Sequence, residues 1–143
     1  MQTMAMTIRK TIEVAATRER AFDVFTSGIA GWWPTDTHSI GEERVADLVL
    51  EPQVGGLLFE VLDDGTRHEW ADVEAFEPPA LLRLNWRVNP RRAATTVEVV
   101  FTALGDGRTR VELTHSGFDD PESFESYETG WDPVMERFAA AIS

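Results

Sequence analysis

The chain has 143 residues, of which 43% are hydrophobic and 27% are charged, a size and balance typical of a folded domain and not of a disordered segment. Its 25 acidic residues outnumber 13 basic ones. The resulting net charge of −12 argues against nucleic acid and membrane-surface partners, which select clustered positive charge. Because the chain has no cysteine, disulfides and thiolate chemistry are excluded.

From the sequence we expect neither membrane insertion nor export. No stretch reaches the roughly 20 apolar residues that a membrane-spanning helix needs. Residues 1–6 lack the basic and apolar segments of a secretion signal. No repeat, linker or low-complexity segment divides the chain. We therefore expect a single domain over residues 1–143, located in the cytoplasm.

The N-terminal part of the chain predicts one strand followed by two helices. Polar and apolar residues alternate over 7–14, as in a half-buried strand. Thr17 is a candidate N-cap for a helix over 18–25. The apolar stripe of this helix consists of Ala21, Phe22, Val24 and Phe25. A short second helix is predicted over 28–33, ended by Pro34, which restrains the residue before it.

The middle of the chain predicts a series of further strands. They cover residues 46–51, 57–62, 67–76, 81–88, 95–104 and 108–114. Turns at 63–65 and 105–107 contain glycine, which tolerates the positive φ of tight hairpins. Short turns make consecutive strands antiparallel, so we expect a six-stranded meander with the first strand added at one edge.

The C-terminal segment matches the apolar face of this sheet. Asp120 and Pro121 predict the start of a helix, and Pro133 predicts either a kink or a restart with Asp132 as the cap. Hydrophobic residues recur at helical spacing, namely Phe124, Tyr127, Trp131, Val134, Met135, Phe138 and Ile142. We expect an α+β fold in which this long helix lies across a curved antiparallel sheet of six to seven strands.

The strand over 67–76 alternates less cleanly than the others. Ala71, Val73 and Ala75 fit the covered face of the sheet. The same alternation places Trp70 and Phe76 on the other face. We therefore expect these two aromatic side chains to be partly exposed or to lie in a contact.

Short motifs occur in a fixed order from about residue 8 to residue 142. They are found at 12–14, 20–25, 32–34, 51–52 with 55–56, 64–65, 77–79, 84–86, 105–109, 113–118 and 130–131. In this order they resemble the helix-grip domains of the START-like (SRPBCC) superfamily. Within it, the chain is similar to the family named for the activator of the heat-shock protein 90 ATPase.

This resemblance implies a helix-grip fold with a cavity, but no particular reaction. Members of the superfamily bind lipids, sterols, polyketides or plant hormones, and some cyclise polyketides. The domain that gives the family its name stimulates a chaperone, in a protein with a separate N-terminal domain for which 143 residues leave no room.

Aromatic residues are the candidate lining of that cavity. Such residues commonly line small-molecule sites, although they also fill ordinary cores. The small side chains of Ala71 and Ala75 beneath the helix favour unfilled space. The predicted ligand-binding residues are Trp32, Trp33, Phe59, Trp86, Phe101, His115, Tyr127 and Trp131.

His115 is the strongest polar candidate of this set. Alternation places it on the apolar face near the end of the last strand. It is either a core histidine with hydrogen-bond partners or a group that orients a ligand or transfers a proton. The adjacent Ser116 points to the opposite face, and the chain has no Gly-x-Ser-x-Gly motif. We assign no catalytic residue.

The remaining polar candidates do not form a recognisable metal or cofactor site. The segment 68–72 partly matches a zinc motif, but in a strand its ends are about 13 Å apart, whereas the motif needs a helix. His38 and Asp36 could share a metal, with a solvated loop as the favoured alternative. Glu60 could face either side of its strand, and solvent is the favoured surrounding. We predict no metal and no cofactor.

Three functions remain open at this point. The leading hypothesis is a noncatalytic protein that binds a small apolar or aromatic ligand in the cavity. The second is an enzyme that acts on a bulky hydrophobic substrate there, with His115 as acid or base. The third is an interaction module that contacts a protein, such as a chaperone, through Trp70, Phe76 and the C-terminal helix, which has seven acidic residues over 119–136. The chain is expected to be a monomer or a homodimer.

Overall fold

The computed structural model describes residues 6–142 and confirms the predicted α+β fold. The elements in chain order are β1 (Ile8–Val14), α1 (Arg18–Thr26), β2 (Val45–Leu50), β3 (Leu57–Leu62), β4 (Arg67–Glu77), β5 (Leu81–Trp86), β6 (Thr95–Gly105), β7 (Arg108–Ser116) and α2 (Pro121–Ile142). Short 3₁₀ turns occur at Ile29–Gly31 and Glu42–Arg44. The predicted second helix is thus a single 3₁₀ turn.

The seven strands form one antiparallel sheet in the order β1-β7-β6-β5-β4-β3-β2. β1 lies at the edge beside β7, with Ile8 opposite His115 and Val14 opposite Thr109, as predicted. The turn between β6 and β7 places Gly105, Asp106 and Gly107 all at positive φ, which explains the two glycines there.

The two helices cover the apolar face of this sheet. The hydroxyl of Thr17 accepts a hydrogen bond from the Arg20 amide at 3.3 Å, which confirms the predicted cap of α1. At the start of α2, the carboxylate of Asp120 accepts one from the Ser123 amide at 2.8 Å. Neither helix within residues 6–142 is long and apolar enough to cross a membrane.

α2 continues without a break through Pro133, so the alternative of a new helix capped by Asp132 is wrong. A proline removes one backbone hydrogen bond from a helix. In α2, residues on both sides of it pack into the same core, so tertiary packing holds the helix in one piece. The buried residues of α2 are Trp131, Val134, Met135, Phe138 and Ile142.

The predicted exposure of Trp70 is wrong, because its side chain is only 1% exposed. In the pairing of β3 with β4, Leu58 lies opposite Ala71 while Phe59 lies opposite Glu69. Trp70 is therefore the extra residue of a β-bulge, which brings two successive residues of β4 into the core. Phe76 is half-buried against Phe22 of α1, with ring centres 5.2 Å apart. A second register shift, between Val73 and Ala75, places it opposite Leu82, so its predicted placement on the other face is wrong as well.

Candidate functional site

A cavity of about 380 Å³ lies between the N-terminal half of α2, the sheet and the segment that follows the first 3₁₀ turn. We call it the tryptophan cavity. Its aromatic lining consists of Trp33, Trp70, Trp86, Tyr127 and Trp131. Its polar lining consists of Thr37, His38, Ser39 and Ser126. Gly130 contributes only backbone to the wall on the helix side.

Each of the five tryptophans donates its indole N–H to a protein acceptor. The acceptors are a backbone carbonyl for Trp32 and Trp33, the Glu60 carboxylate for Trp70, the Tyr127 hydroxyl for Trp86, and the His115 ring for Trp131, at 2.7–3.0 Å. Turning an indole inward to fill the cavity would break such a bond, at a cost of about 1–3 kcal/mol for a buried donor left unpaired. These bonds therefore favour an open cavity.

Glu60 is fully buried, so the expectation that it faces solvent is wrong. Its carboxylate accepts hydrogen bonds from the amides of Ile40 and Gly41, both at 2.8 Å, and from the Trp70 indole at 2.7 Å. His68 lies 2.9 Å away through Nδ1. Burial raises the pKa of Glu60, but the hydrogen bonds from His68, Ile40, Trp70 and Gly41 outweigh it and hold the pKa below its usual value.

This buried carboxylate has a direct effect on the cavity wall. Ile40 and Gly41 follow immediately on residues 37–39, which form most of the polar lining. By binding their two amides and the Trp70 indole, Glu60 ties that segment to β3 and β4. The wall that carries His38 is therefore anchored to the sheet.

His115 is also fully buried, and both of its ring nitrogens are occupied. Trp131 donates to Nδ1 at 3.0 Å, which leaves Nε2 as the nitrogen that donates to the Thr95 hydroxyl at 2.6 Å. Burial lowers the pKa of His115 to about 3, so the ring is neutral near neutral pH. The structure thus matches the alternative of a hydrogen-bonded core histidine.

His38 is the functional candidate that the sequence analysis did not select. It is half-buried in the cavity wall, and its Nδ1 lies 2.7 Å from the Thr37 hydroxyl. Among the described residues, no hydrogen-bond partner is present for its Nε2. The Cδ2 atom of His38 lies 4.0 Å from the position that a Cβ on Gly130 would occupy. The imidazole ring is therefore a neighbour of α2 at this point. From the sequence, His38 is a candidate only as a possible metal ligand beside Asp36, with a solvated loop as the favoured alternative.

Four of the predicted binding residues, Trp33, Trp86, Tyr127 and Trp131, line the tryptophan cavity together. The other four lie elsewhere. Trp32 and Phe101 pack against Phe25, with ring centres 5.1 and 5.7 Å from it. Phe59 lies outside the main core cluster beneath the Arg67 guanidinium, 3.8 Å from its ring centre, and His115 lies behind Trp131.

The residues that could hold a metal do not cluster. Within residues 6–142, no three His, Asp or Glu side chains lie close enough together to bind an ion.

Comparison with solved structures places this fold among known ones. An anthrahydroquino-γ-pyrone synthase, Txn09, is 35% identical, with 95% of this chain and 96% of that chain covered and a TM-score of 0.67. The Aha1 dimer from Colwellia psychrerythraea is 17% identical, with 95% of each chain covered and a TM-score of 0.72. PFC0360w, an HSP90 activator from Plasmodium falciparum, is 19% identical, with 95% of each chain covered and a TM-score of 0.67.

Sequence comparison gives the family. No curated protein matches the chain significantly. The model of the family described as activator of Hsp90 ATPase homolog 1-like protein matches residues 15–143. This match spans most of the helix-grip fold, from the loop before α1 to the end of α2. The chain therefore belongs to the family of activator of Hsp90 ATPase homolog 1-like proteins.

Proposed function

We propose that the protein binds a flat, hydrophobic small molecule in the tryptophan cavity. The observation that carries this proposal is a cavity with four tryptophans in its wall, each held by its own hydrogen bond. Its volume of about 380 Å³ falls in the range of small-molecule sites, which is roughly 300–1,000 Å³. Indole faces favour a flat aromatic partner, because stacked and edge-to-face rings attract each other.

The polar groups of the wall set the orientation of such a ligand. The His38 Nε2 and the Tyr127 hydroxyl lie in the lining, among side chains that are otherwise mostly apolar. A few polar groups in an apolar site usually determine how a ligand is oriented. We expect the ligand to carry at least one oxygen that meets one of these groups, while its rings contact Trp33, Trp86 and Trp131.

Binding can be tested with 2-acetylnaphthalene as a probe, followed by tryptophan fluorescence and by calorimetry. Native mass spectrometry of freshly purified protein would reveal any ligand that copurifies. Gly130→Leu fills the cavity from α2 and should weaken binding at least tenfold, which corresponds to about 1.4 kcal/mol. Ala103→Leu, an exposed position on β6, is the matched control and should bind as the native protein does. Equal affinity of the two variants would contradict the proposal.

A second candidate function is an enzyme that uses the same cavity. The sequence identity with a synthase supports this alternative. The related synthase is 35% identical over 95% of this chain. His38 is then the candidate acid or base, because its Nε2 has no hydrogen-bond partner among the described residues. His115 is a poor candidate, since Trp131 and Thr95 occupy both of its nitrogens.

His38→Gln separates the enzyme from the binding protein. An enzyme that depends on His38 should lose at least 100-fold in the rate of γ-pyrone formation from the substrate of the related synthase, while the affinity for 2-acetylnaphthalene changes little. Thr37→Val, which removes only the hydroxyl beside Nδ1, should have a smaller effect on the rate. Absence of turnover by the native protein would exclude this reaction and leave the binding function in place.

The expectation that the chain is a monomer or a homodimer, and the third hypothesis of a chaperone contact, stay predictions. The Aha1 dimer and the HSP90 activator share its fold at 17% and 19% identity. Trp70, which is one of the two aromatic residues predicted for such a contact, is buried. Any contact of this kind would therefore use other residues, with the half-buried Phe76 as the remaining candidate.

A further inference from the structure

A second, smaller cavity adjoins the tryptophan cavity. It measures about 260 Å³ and lies between the segment after β5 and the first turns of α2. Four residues, Trp86, Val88, Ser126 and Tyr127, line both cavities. The two spaces therefore adjoin at this shared wall, and a molecule that passes between these side chains would occupy both.

The chemistry of this second cavity differs from that of the first. Apart from the shared wall, its polar side chains are Arg87, Asn89, Arg92, Thr95, Glu122 and Ser123, so we call it the polar pocket. The Arg92 guanidinium lies 3.3 Å from Asp120 and 3.7 Å from Glu122, longer than strong hydrogen bonds. These two carboxylates offset its charge, so the pocket favours neutral hydroxyl or carbonyl groups over a free anion.

The hydroxyl of Tyr127 lies at the junction of the two cavities. It accepts the Trp86 indole N–H at 3.0 Å, and no acceptor for its own proton is present among the described residues. Burial raises the pKa of Tyr127, which keeps the phenol protonated near neutral pH. A ligand that passes this point thus meets a hydrogen-bond donor that is not otherwise used.

From this arrangement we propose that the ligand is an aryl ketone with a hydroxylated side chain. This inference rests on the proposed binding function and names the class of ligand. The fused aromatic body occupies the tryptophan cavity, the ketone oxygen accepts the Tyr127 hydroxyl proton, and the side chain extends into the polar pocket. An apolar molecule without oxygens would leave the Tyr127 donor and the polar pocket without partners.

Three naphthalene probes test the proposal by calorimetry on the full chain. They are 2-methylnaphthalene, 2-acetylnaphthalene and a 2-naphthyl ketone whose chain ends in two hydroxyls. Affinity should rise about fivefold to tenfold at each step, as expected when each adds one net hydrogen bond. Tyr127→Phe should remove the gain in affinity between 2-methylnaphthalene and 2-acetylnaphthalene. Ala93→Leu fills the polar pocket from an exposed loop position and should remove only the gain in affinity that the two hydroxyls add.

The outcomes distinguish this inference from the function on which it rests. If none of the probes binds, the proposed function and the inference both fail. If 2-methylnaphthalene binds but the ketone and diol add nothing, the aryl ketone assignment is overturned while the cavity function stands. If Ala93→Leu still binds the dihydroxy ketone more tightly than 2-acetylnaphthalene, the side chain of the ligand does not occupy the polar pocket and that part of the inference is overturned. The control Ala103→Leu should preserve all three affinities.

Discussion

The aromatic core of this protein has two halves, and only one of them borders the tryptophan cavity; we call that one the open half and the other the closed half. Between α1, α2 and β6, the rings of Phe22, Phe25, Phe101 and Phe138 meet edge to face at 5.1–5.7 Å. Around the cavity, the rings of Trp33, Trp70, Trp86 and Trp131 lie 5.3–6.4 Å from one another. Both halves are rich in large rings, yet the tryptophan cavity is lined by rings of the second half and by none of these four phenylalanines.

The difference lies in the polar atom of the indole ring. A phenylalanine has no hydrogen-bonding group, so it gains free energy only from contact and packs against its neighbours. A buried tryptophan must also satisfy its N–H, and that bond fixes the position of the ring. In this protein the acceptors, such as Glu60 and His115, lie behind the rings and hold them at the wall. The hydrogen bonds of the indole N–H groups thus oppose a movement of the rings into the cavity.

The largest expected effect concerns the closed half. Phe138→Ala should reduce the free energy of unfolding by about 3–5 kcal/mol, because Phe138 is fully buried among other rings. Denaturant unfolding measures this. Phe59→Ala, outside the main core and covered by Arg67, should cost less. A similar loss for both variants would contradict the view that Phe138 lies in a more tightly packed part of the core than Phe59 does.

An intermediate effect concerns the polar anchors of the open half. The pKa of His115 is lowered by burial to about 3, whereas an unfolded histidine titrates near 6.5. Between these values the unfolded chain takes up a proton and the folded protein does not. The contribution of His115 to stability is therefore full above about pH 6.5 and falls by about 1.4 kcal/mol per pH unit below it.

His115→Asn removes this titration and serves as the reference. The native protein should lose about 2 kcal/mol relative to the variant between pH 7 and pH 5, as followed by urea unfolding at each pH. Parallel stability curves for the two proteins would show that folding does not lower the pKa of His115. The anchoring role of this ring would then need another explanation.

The smallest expected effect uses the space left beside Gly130. Gly130→Ala should raise the free energy of unfolding by about 0.5–1 kcal/mol, because alanine is favoured over glycine within a helix. The new methyl group meets only the His38 Cδ2 at 4.0 Å, which is an ordinary contact. Affinity for 2-acetylnaphthalene should fall, since the cavity narrows. Thr129→Ala, on the exposed side of α2, should leave affinity unchanged.

Periodicity predicted most of the fold because each element has a repeat of its own. The stripe of α2, the turn at Gly105–Gly107 and the edge position of β1 all follow from local spacing. Half of the predicted binding residues, such as Trp86 and Trp131, line the cavity because they occupy the covered faces of a strand and a helix.

The residues that were misassigned depend on irregular or distant structure. Trp70 enters the core through a bulge that breaks the alternation of β4. Glu60 is buried because a loop 20 residues before it supplies two amides. His38 reaches the cavity because that same loop folds against the sheet. None of these relations has a spacing that a local pattern could reveal.

The order of the elements, the covered face of the sheet and the helix that covers it could all be predicted from the sequence. The reason is that burial of an apolar face imposes a period on the residues that form it. The tertiary structure alone decided which aromatic rings border empty space and which pack together. That outcome depends on hydrogen bonds between residues far apart in the chain, such as Trp86 with Tyr127 and Trp131 with His115. Their partners become neighbours only when the helix and the sheet meet.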